Sequence, residues 1–192
     1  MSDVIQTQDG NTQMRERTSP SVAHPASTIV VGLGNPILGD DGVGWRVAEI
    51  VESQLLMQPA AAPDVLVECL SLGGLSLMEN LIGYRRAILI DAISLHEDPP
   101  GTVYVRSLDE LPDYACGHLT STHDTSLQTA LNLGRSMDAI LPDQVTVVGI
   151  ESQQVYDFSE ELTPLVAAAV PEAVMKVLDL INLDENQNPS EE

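Results

Sequence analysis

Five short, mostly apolar runs recur along the chain and predict the strands of a β-sheet. They lie at residues 27–33, 65–70, 86–90, 102–106 and 145–150. Runs such as STIVVGL and VTVVGI are nearly continuous in apolar residues, which is typical of parallel strands buried on both faces. The run TVYVR alternates between apolar and polar residues and is therefore predicted to be an edge strand.

Between these runs, the spacing of apolar residues predicts helices at residues 41–56, 75–82, 123–137 and 164–181. The core-facing positions predicted for the first, third and last helices are Val43, Val47, Ile50, Val51 and Leu55; Leu127, Ala130, Leu131 and Gly134; and Val166, Val170, Val174, Val177 and Ile181. The last helix begins with Thr163 as a predicted N-cap and Pro164 at the first helical position. Pro171 is predicted to kink it.

This alternation of strands and helices predicts an α/β fold, a three-layer sandwich in which helices flank a mainly parallel sheet. One domain is expected at residues 28–183. Residues 1–27 are rich in Ser, Thr, Gln and Pro, and residues 184–192 form an acidic tail. Both segments have too little apolar surface to offset the entropy cost of ordering, so they are predicted to be disordered.

The chain is strongly acidic, which narrows its possible partners. Its 192 residues include 29 acidic and 8 basic side chains, for a net charge of -21. Such a surface repels phosphate backbones and anionic lipids, so neither a nucleic acid nor a membrane is expected as a partner. Cationic peptides, metal ions and basic protein surfaces remain possible partners. Without a signal peptide or a long apolar segment, a cytoplasmic monomer is the expectation.

Three residues are candidates for chemistry at the carboxyl edge of the sheet, where α/β proteins gather functional groups. Asp41 lies in the Gly-rich turn after the first strand, Asp91 follows the apolar run RAILI, and His123 opens a predicted helix. Each has a simpler explanation. Asp40 or Asp41 could cap a helix, Asp91 could stabilise a turn, and His123 could be a surface residue that competes with nearby His118.

Two carboxylates and an imidazole would suit a borderline divalent metal such as zinc, nickel, manganese or iron. Other chemistries lack their motifs. Ile37 stands where a dinucleotide fingerprint requires glycine, and the sequence contains neither a P-loop, nor an HExxH helix, nor a G-x-S-x-G elbow. An unrelated α/β hydrolase or nucleotide-binding enzyme is therefore disfavoured.

Several short blocks, taken in order, resemble the endopeptidases that mature nickel–iron hydrogenases. They are GLGNPILGDDGVG at 32–44, AILIDAI at 87–93 followed by Pro100-Gly101-Thr102, STHDTSL at 121–127, VVGIE at 147–151 and ELTPLV at 161–166. The blocks span residues 28–182 almost completely. One block departs from the family pattern, because Ser71 stands where the family often has an Asp after the second strand.

The resemblance implies a twisted, five-stranded sheet between helices, and a site in which Asp41, Asp91 and His123 are both the catalytic and the metal-binding residues. It implies nickel as the metal, with zinc or cadmium as possible surrogates. The implied partner is the nickel-loaded precursor of a hydrogenase large subunit, from which one cut removes a C-terminal extension. A non-catalytic nickel-binding chaperone that checks metal loading of the precursor would need the same three residues, so it stays open as the alternative.

Overall fold

The computed structural model describes residues 26–58, 64–112, 126–153 and 158–185, with side chains described up to residue 182. The strands are β1 (Thr28–Leu33), β2 (Val65–Leu70), β3 (Arg86–Ile93), β4 (Val103–Ser107) and β5 (Gln144–Glu151). The α-helices are α1 (Val43–Met57), α2 (Gly74–Asn80), α3 (Leu127–Ser136) and α4 (Pro164–Glu185). Short 3-10 turns span Gly39–Gly42 and Leu108–Glu110.

The five strands form one sheet in the order β2-β1-β3-β5-β4. All neighbouring strands run parallel except β4, which pairs antiparallel with β5 at the edge. Every residue of β1 and β3 is buried, whereas every residue of β4 is half-buried or exposed. The structure therefore confirms the predicted α/β fold with its mainly parallel sheet and its edge strand.

Helices cover both faces of the sheet and create two apolar cores. Helices α1 and α4 pack on one face against residues such as Val30, Ile88 and Val148. Helices α2 and α3 pack on the other face against Val31 and Leu89. This division follows from the pleat of the strands, because successive side chains point to opposite faces.

The helix patterns are largely confirmed, with one exception. All the predicted inward positions of α3 and α4 are buried. In α1, however, Ile50 is 40% exposed, and Ala48 is buried against the sheet instead. A small residue fits better where a helix lies close to the strands. Helix α4 continues past Pro171 and past the expected end at Ile181 to Glu185, so residues 184 and 185, which the sequence predicts to be disordered, are helical. The rest of the two predicted tails, residues 1–25 and 186–192, lies outside the described residues. Whether Pro171 kinks the helix stays a prediction.

Three boundaries near the candidate site differ from the sequence expectations. Helix α3 begins at Leu127, with Ser126 as its N-cap, and not at the predicted residue 123. The α-helix α1 begins at Val43, because the 3-10 turn Gly39–Gly42 occupies the positions before it. Strand β3 does not end before Asp91 but continues to Ile93. The extension forms because Asp91, Ala92 and Ile93 pair with the last three residues of β5. Among the described residues, no helix is both long and apolar enough to cross a membrane.

Candidate active site at the carboxyl edge of the sheet

Asp41 is fixed in position by the loop that leaves β1. Its Oδ2 accepts a hydrogen bond from the backbone N–H of Asn35 at 2.8 Å. Gly34 has a φ of +126°, and a Cβ atom there would lie only 1.8 Å from the carbonyl oxygen of Asp41. Only glycine allows both this backbone conformation and this close approach. The Gly-rich pattern therefore brings the Asp41 backbone directly against the end of β1.

Asp40 does cap a helix, but the helix is α4 rather than α1. Asp40 is a buried residue, with 5% of its surface exposed. Its Oδ1 accepts a hydrogen bond from the backbone N–H of Thr163 at 2.7 Å, and its Oδ2 accepts one from Thr163 Oγ1 at 2.9 Å. Thr163 immediately precedes the first residue of α4, where backbone N–H groups have no partner within the helix. The neighbouring acids Asp40 and Asp41 thus have different partners.

Asp91 is fully buried inside β3, beyond the end of its pairing with β1. The β1–β3 pairing ends at Gly32 and Ile90, so Asp91 is the first β3 residue past it. On its other side, Asp91 pairs with Gly149 of β5. Its side chain has no exposed area. The expected turn residue is therefore a strand residue, located where the ladder to β1 has stopped.

Asp41 and Asp91 lie at the same edge of the sheet. The 3-10 turn that carries Asp41 contacts β3. Just after this turn, a Cβ atom on Gly44 would lie 2.2 Å from the carbonyl oxygen of Leu33 and 2.4 Å from that of Ile90. The start of α1 is therefore seated on the ends of β1 and β3, next to Asp91. The structure brings the two predicted carboxylates to one region.

His123 and its competitor His118 lie outside the described residues, so the third member of the predicted site stays a prediction. The alternation along β3 places Asp91 on the face with Leu89 and Ile93, which belong to the same core as helix α3. His123 comes three residues before Ser126, the N-cap of that helix. Within the described part of the chain, no group of three His, Cys, Asp or Glu side chains is arranged to hold a metal ion.

Glu151 and Ser71 contribute to this edge in ways that the sequence reasoning missed. Glu151, 2% exposed at the end of β5, accepts hydrogen bonds from the backbone N–H groups of Leu95 at 3.1 Å and His96 at 3.0 Å. It thereby holds the loop that follows β3. Ser71 Oγ donates to the carbonyl oxygen of Gly34 at 2.7 Å and so links the loop after β2 to the Asp41 loop. The signals available for Glu151 were its place at the end of an apolar strand and in the block VVGIE, and neither indicates its partners.

Comparison with known proteins identifies the family to which this arrangement belongs. The family model described as hydrogenase maturation protease matches residues 53–180. This chain belongs to the hydrogenase maturation protease family. The match includes Asp91 and the position of His123 and begins after Asp41.

Individual relatives agree with this assignment. The chain is 29% identical to the hydrogenase 2 maturation protease of Escherichia coli over 78% of this chain and 87% of that protein. It is 28% identical to the hydrogenase expression/formation protein HoxM of Cupriavidus necator, over 80% of this chain and 73% of that protein. The hydrogenase maturating endopeptidase HybD of E. coli has a similar structure, with a TM-score of 0.61 and 25% identity over 82% of this chain and 93% of HybD. The expected enzyme class, an endopeptidase, is confirmed.

Within this maturation protease, Cys69 lacks the properties of a nucleophile. It lies on β2, half-buried against α1, and its Sγ is 4.0 Å from the carbonyl oxygen of Trp45. Burial, together with the smaller effect of the negative charges of Glu49 and Glu52, raises the pKa of the Cys69 thiol to about 11. Because the thiolate is the reactive form, Cys69 is poorly suited to attack a peptide bond.

We expect Cys69 to be alkylated slowly. In a Cys116→Ser background, the rate with iodoacetamide at pH 8 should be roughly 100-fold below that of a free thiol, because the thiolate fraction falls about tenfold for each unit by which the pKa rises. The rate should increase with pH up to the raised pKa. Alkylation at pH 8 as fast as that of free cysteine would show that the thiol is activated.

Proposed function

We propose that this endopeptidase removes a C-terminal extension from the nickel-loaded precursor of a nickel–iron hydrogenase large subunit. The observation that carries this proposal is the contact between the Asp41 turn and β3 at the edge where Asp91 is buried, in a chain of the hydrogenase maturation protease family. The name of one relative, the hydrogenase 2 maturation protease of E. coli, supports a proteolytic role in hydrogenase maturation.

The donor atoms at this edge fit nickel or a similar divalent ion. Asp41 and Asp91 offer carboxylate oxygens, and His123 would add an imidazole nitrogen, a set suited to borderline metals. A metal held there could polarise a carbonyl group or lower the pKa of bound water. The protein's own contribution is to hold Asp41 through Asn35 and to bury Asp91 away from bulk water.

A protease site with low affinity for a free metal ion would explain how the protease recognises a metal-loaded precursor. Two carboxylates and one imidazole, without a thiolate, should hold a free ion with modest affinity. A site of this kind would be filled when the ion arrives already bound to the precursor. Nickel would then be part of the substrate, and the protease would cleave only a precursor that contains it. Zinc and cadmium are the expected surrogates.

The decisive experiment measures the intact mass of a candidate large-subunit precursor after incubation with the protease, with and without prior nickel loading. We expect loss of one C-terminal peptide from the loaded precursor alone. Cleavage of both samples would retain the protease and contradict recognition of the metal. Zinc- and cadmium-loaded precursors test whether a surrogate is accepted.

The alternative of a nickel-checking chaperone predicts a different result in the same samples. A chaperone would form a nickel-dependent complex with the precursor, detectable by size-exclusion chromatography, and release no peptide. The same chromatography tests the expected monomeric state of the free protein. The cytoplasmic location stays a prediction that fractionation of cells can test.

A further inference from the structure

We propose that Asp40 is a positioning residue, which orients Asp41 by fastening its turn to the start of helix α4. The proposal rests on the proposed function, because the proposed site includes Asp41. Asp40 and Asp41 are consecutive residues of the 3-10 turn Gly39–Gly42, so a constraint on one side chain restricts the backbone of the other. We call the pair of hydrogen bonds between Asp40 and Thr163 the Asp40 latch.

The Asp40 latch joins segments that are 123 residues apart in the sequence. Both carboxylate oxygens of Asp40 are used, one by the Thr163 backbone N–H at 2.7 Å and one by the Thr163 hydroxyl at 2.9 Å. Because Asp40 is only 5% exposed, water competes little for these hydrogen bonds. Because both oxygens already accept hydrogen bonds, Asp40 is a poor candidate for a general base and a good candidate for a residue that holds the turn in place.

The latch replaces a local capping interaction that α4 lacks. In a capping box, a Glu or Gln at the third helical position bonds to the N–H of the N-cap residue. The third position of α4 is Val166, which cannot do so. Asp40 supplies the carboxylate from a distant turn instead. Its negative charge is also favourable near the positive end of the dipole of this long helix.

Other hydrogen bonds also hold the 3-10 turn Gly39–Gly42 in place, and the Asp40 latch adds to them. The backbone N–H of Gly39 donates to the carbonyl oxygen of Ser159 at 2.7 Å, and Leu38 and Ser159 form an isolated β-bridge. On the opposite side, Asp41 accepts from Asn35. The turn is thus held between the β1 loop and the segment that leads into α4. Loss of the latch would weaken the restraint on the α4 side of the turn and let Asp41 shift relative to Asp91.

The test compares Thr163→Val with Thr163→Ser. Valine matches threonine in shape but removes the hydroxyl that donates to Asp40, whereas serine keeps it. We expect Thr163→Val to lower kcat for precursor processing about 10-fold with little change in KM, because displacement of a reacting group affects the chemical step. Thr163→Ser should restore kcat to within about twofold of the wild type.

A second readout does not depend on the substrate. Hydrogen exchange of backbone amides at residues 38–42 should be faster in Thr163→Val than in the wild type, and close to the wild type in Thr163→Ser. Thr102→Val is the matched control, because it removes an exposed hydroxyl that donates to the Pro99 carbonyl oxygen at 2.8 Å. That variant should change neither the exchange at 38–42 nor kcat.

The outcomes separate the latch from the proposed function. Equal kcat values for Thr163→Val and wild type, an equal loss in Thr163→Ser, or a change in KM alone would overturn the positioning role. If the wild type fails to process any precursor, the proposed function fails, and the exchange data then decide whether the latch orders the turn. Because Thr163→Val keeps the backbone N–H bond to Asp40, the latch is refuted in either case if exchange is unchanged both in this variant and in Asp40→Ala, which removes both bonds.

Discussion

Replacing Asp91 by Asn is expected to lower processing of the nickel-loaded precursor at least about 1,000-fold, a loss typical of removing a group that acts directly on the reacting centre. Asparagine has nearly the same shape as aspartate, so the buried position in β3 stays filled. It lacks the negative charge that a divalent ion would require. The measurement is intact-mass analysis of the precursor over time, with urea unfolding to confirm that the variant is folded.

Two further variants sharpen the Asp91 test. Asp91→Glu keeps the charge but moves the carboxylate by one methylene group, so a large loss there would show that position matters as well as charge. Asp109→Asn makes the same chemical change at an exposed residue of the 3-10 turn Leu108–Glu110, and processing should be unaffected. Wild-type processing by a folded Asp91→Asn variant would exclude Asp91 from the site.

The elements were predictable because their signals are local. The central strands are buried on both faces, so their apolar runs are continuous and easily recognised. Helix α4 presents a regular set of buried valines, including Val166 and Val170, and begins at Pro164 as expected. The pattern failed at one position of α1. The buried residues Val47, Ala48 and Val51 mark the face toward the sheet, and Ile50 lies to one side of that face.

The candidate site was predictable only in part, because its contacts connect distant segments. The sequence indicated Asp41 and Asp91 through their positions after predicted strands. It could not show that β3 continues past Asp91, since that depends on pairing with β5. Nor could it pair Asp40 with Thr163 or assign Glu151 to the N–H groups of the loop after β3. No local pattern encodes such a contact.

The close approach of α1 to the sheet leads to the second large expected effect. Gly44→Ala should lower the free energy of unfolding by about 3 kcal/mol or more, as measured by urea unfolding. The new Cβ atom would lie 2.2 Å from the carbonyl oxygen of Leu33 and 2.4 Å from that of Ile90. Both atoms belong to paired strands and cannot move independently, so α1 would have to shift away from the sheet.

Gly134→Ala is the matched control, because it makes the same substitution inside helix α3. There the new Cβ would approach Leu141 Cδ1 at 2.7 Å and Met78 Sδ at 3.0 Å, the ends of flexible side chains. Alanine is also favoured over glycine in a helix by about 1 kcal/mol, which offsets the repacking. In the Gly134→Ala control, the free energy of unfolding should therefore change by no more than about 1 kcal/mol.

A loss of no more than about 1 kcal/mol in Gly44→Ala as well would mean that α1 can move away from the sheet at little cost. The seating of the Asp41 turn against β3 would then depend on the loop contacts of Asp40 and Asp41 rather than on Gly44.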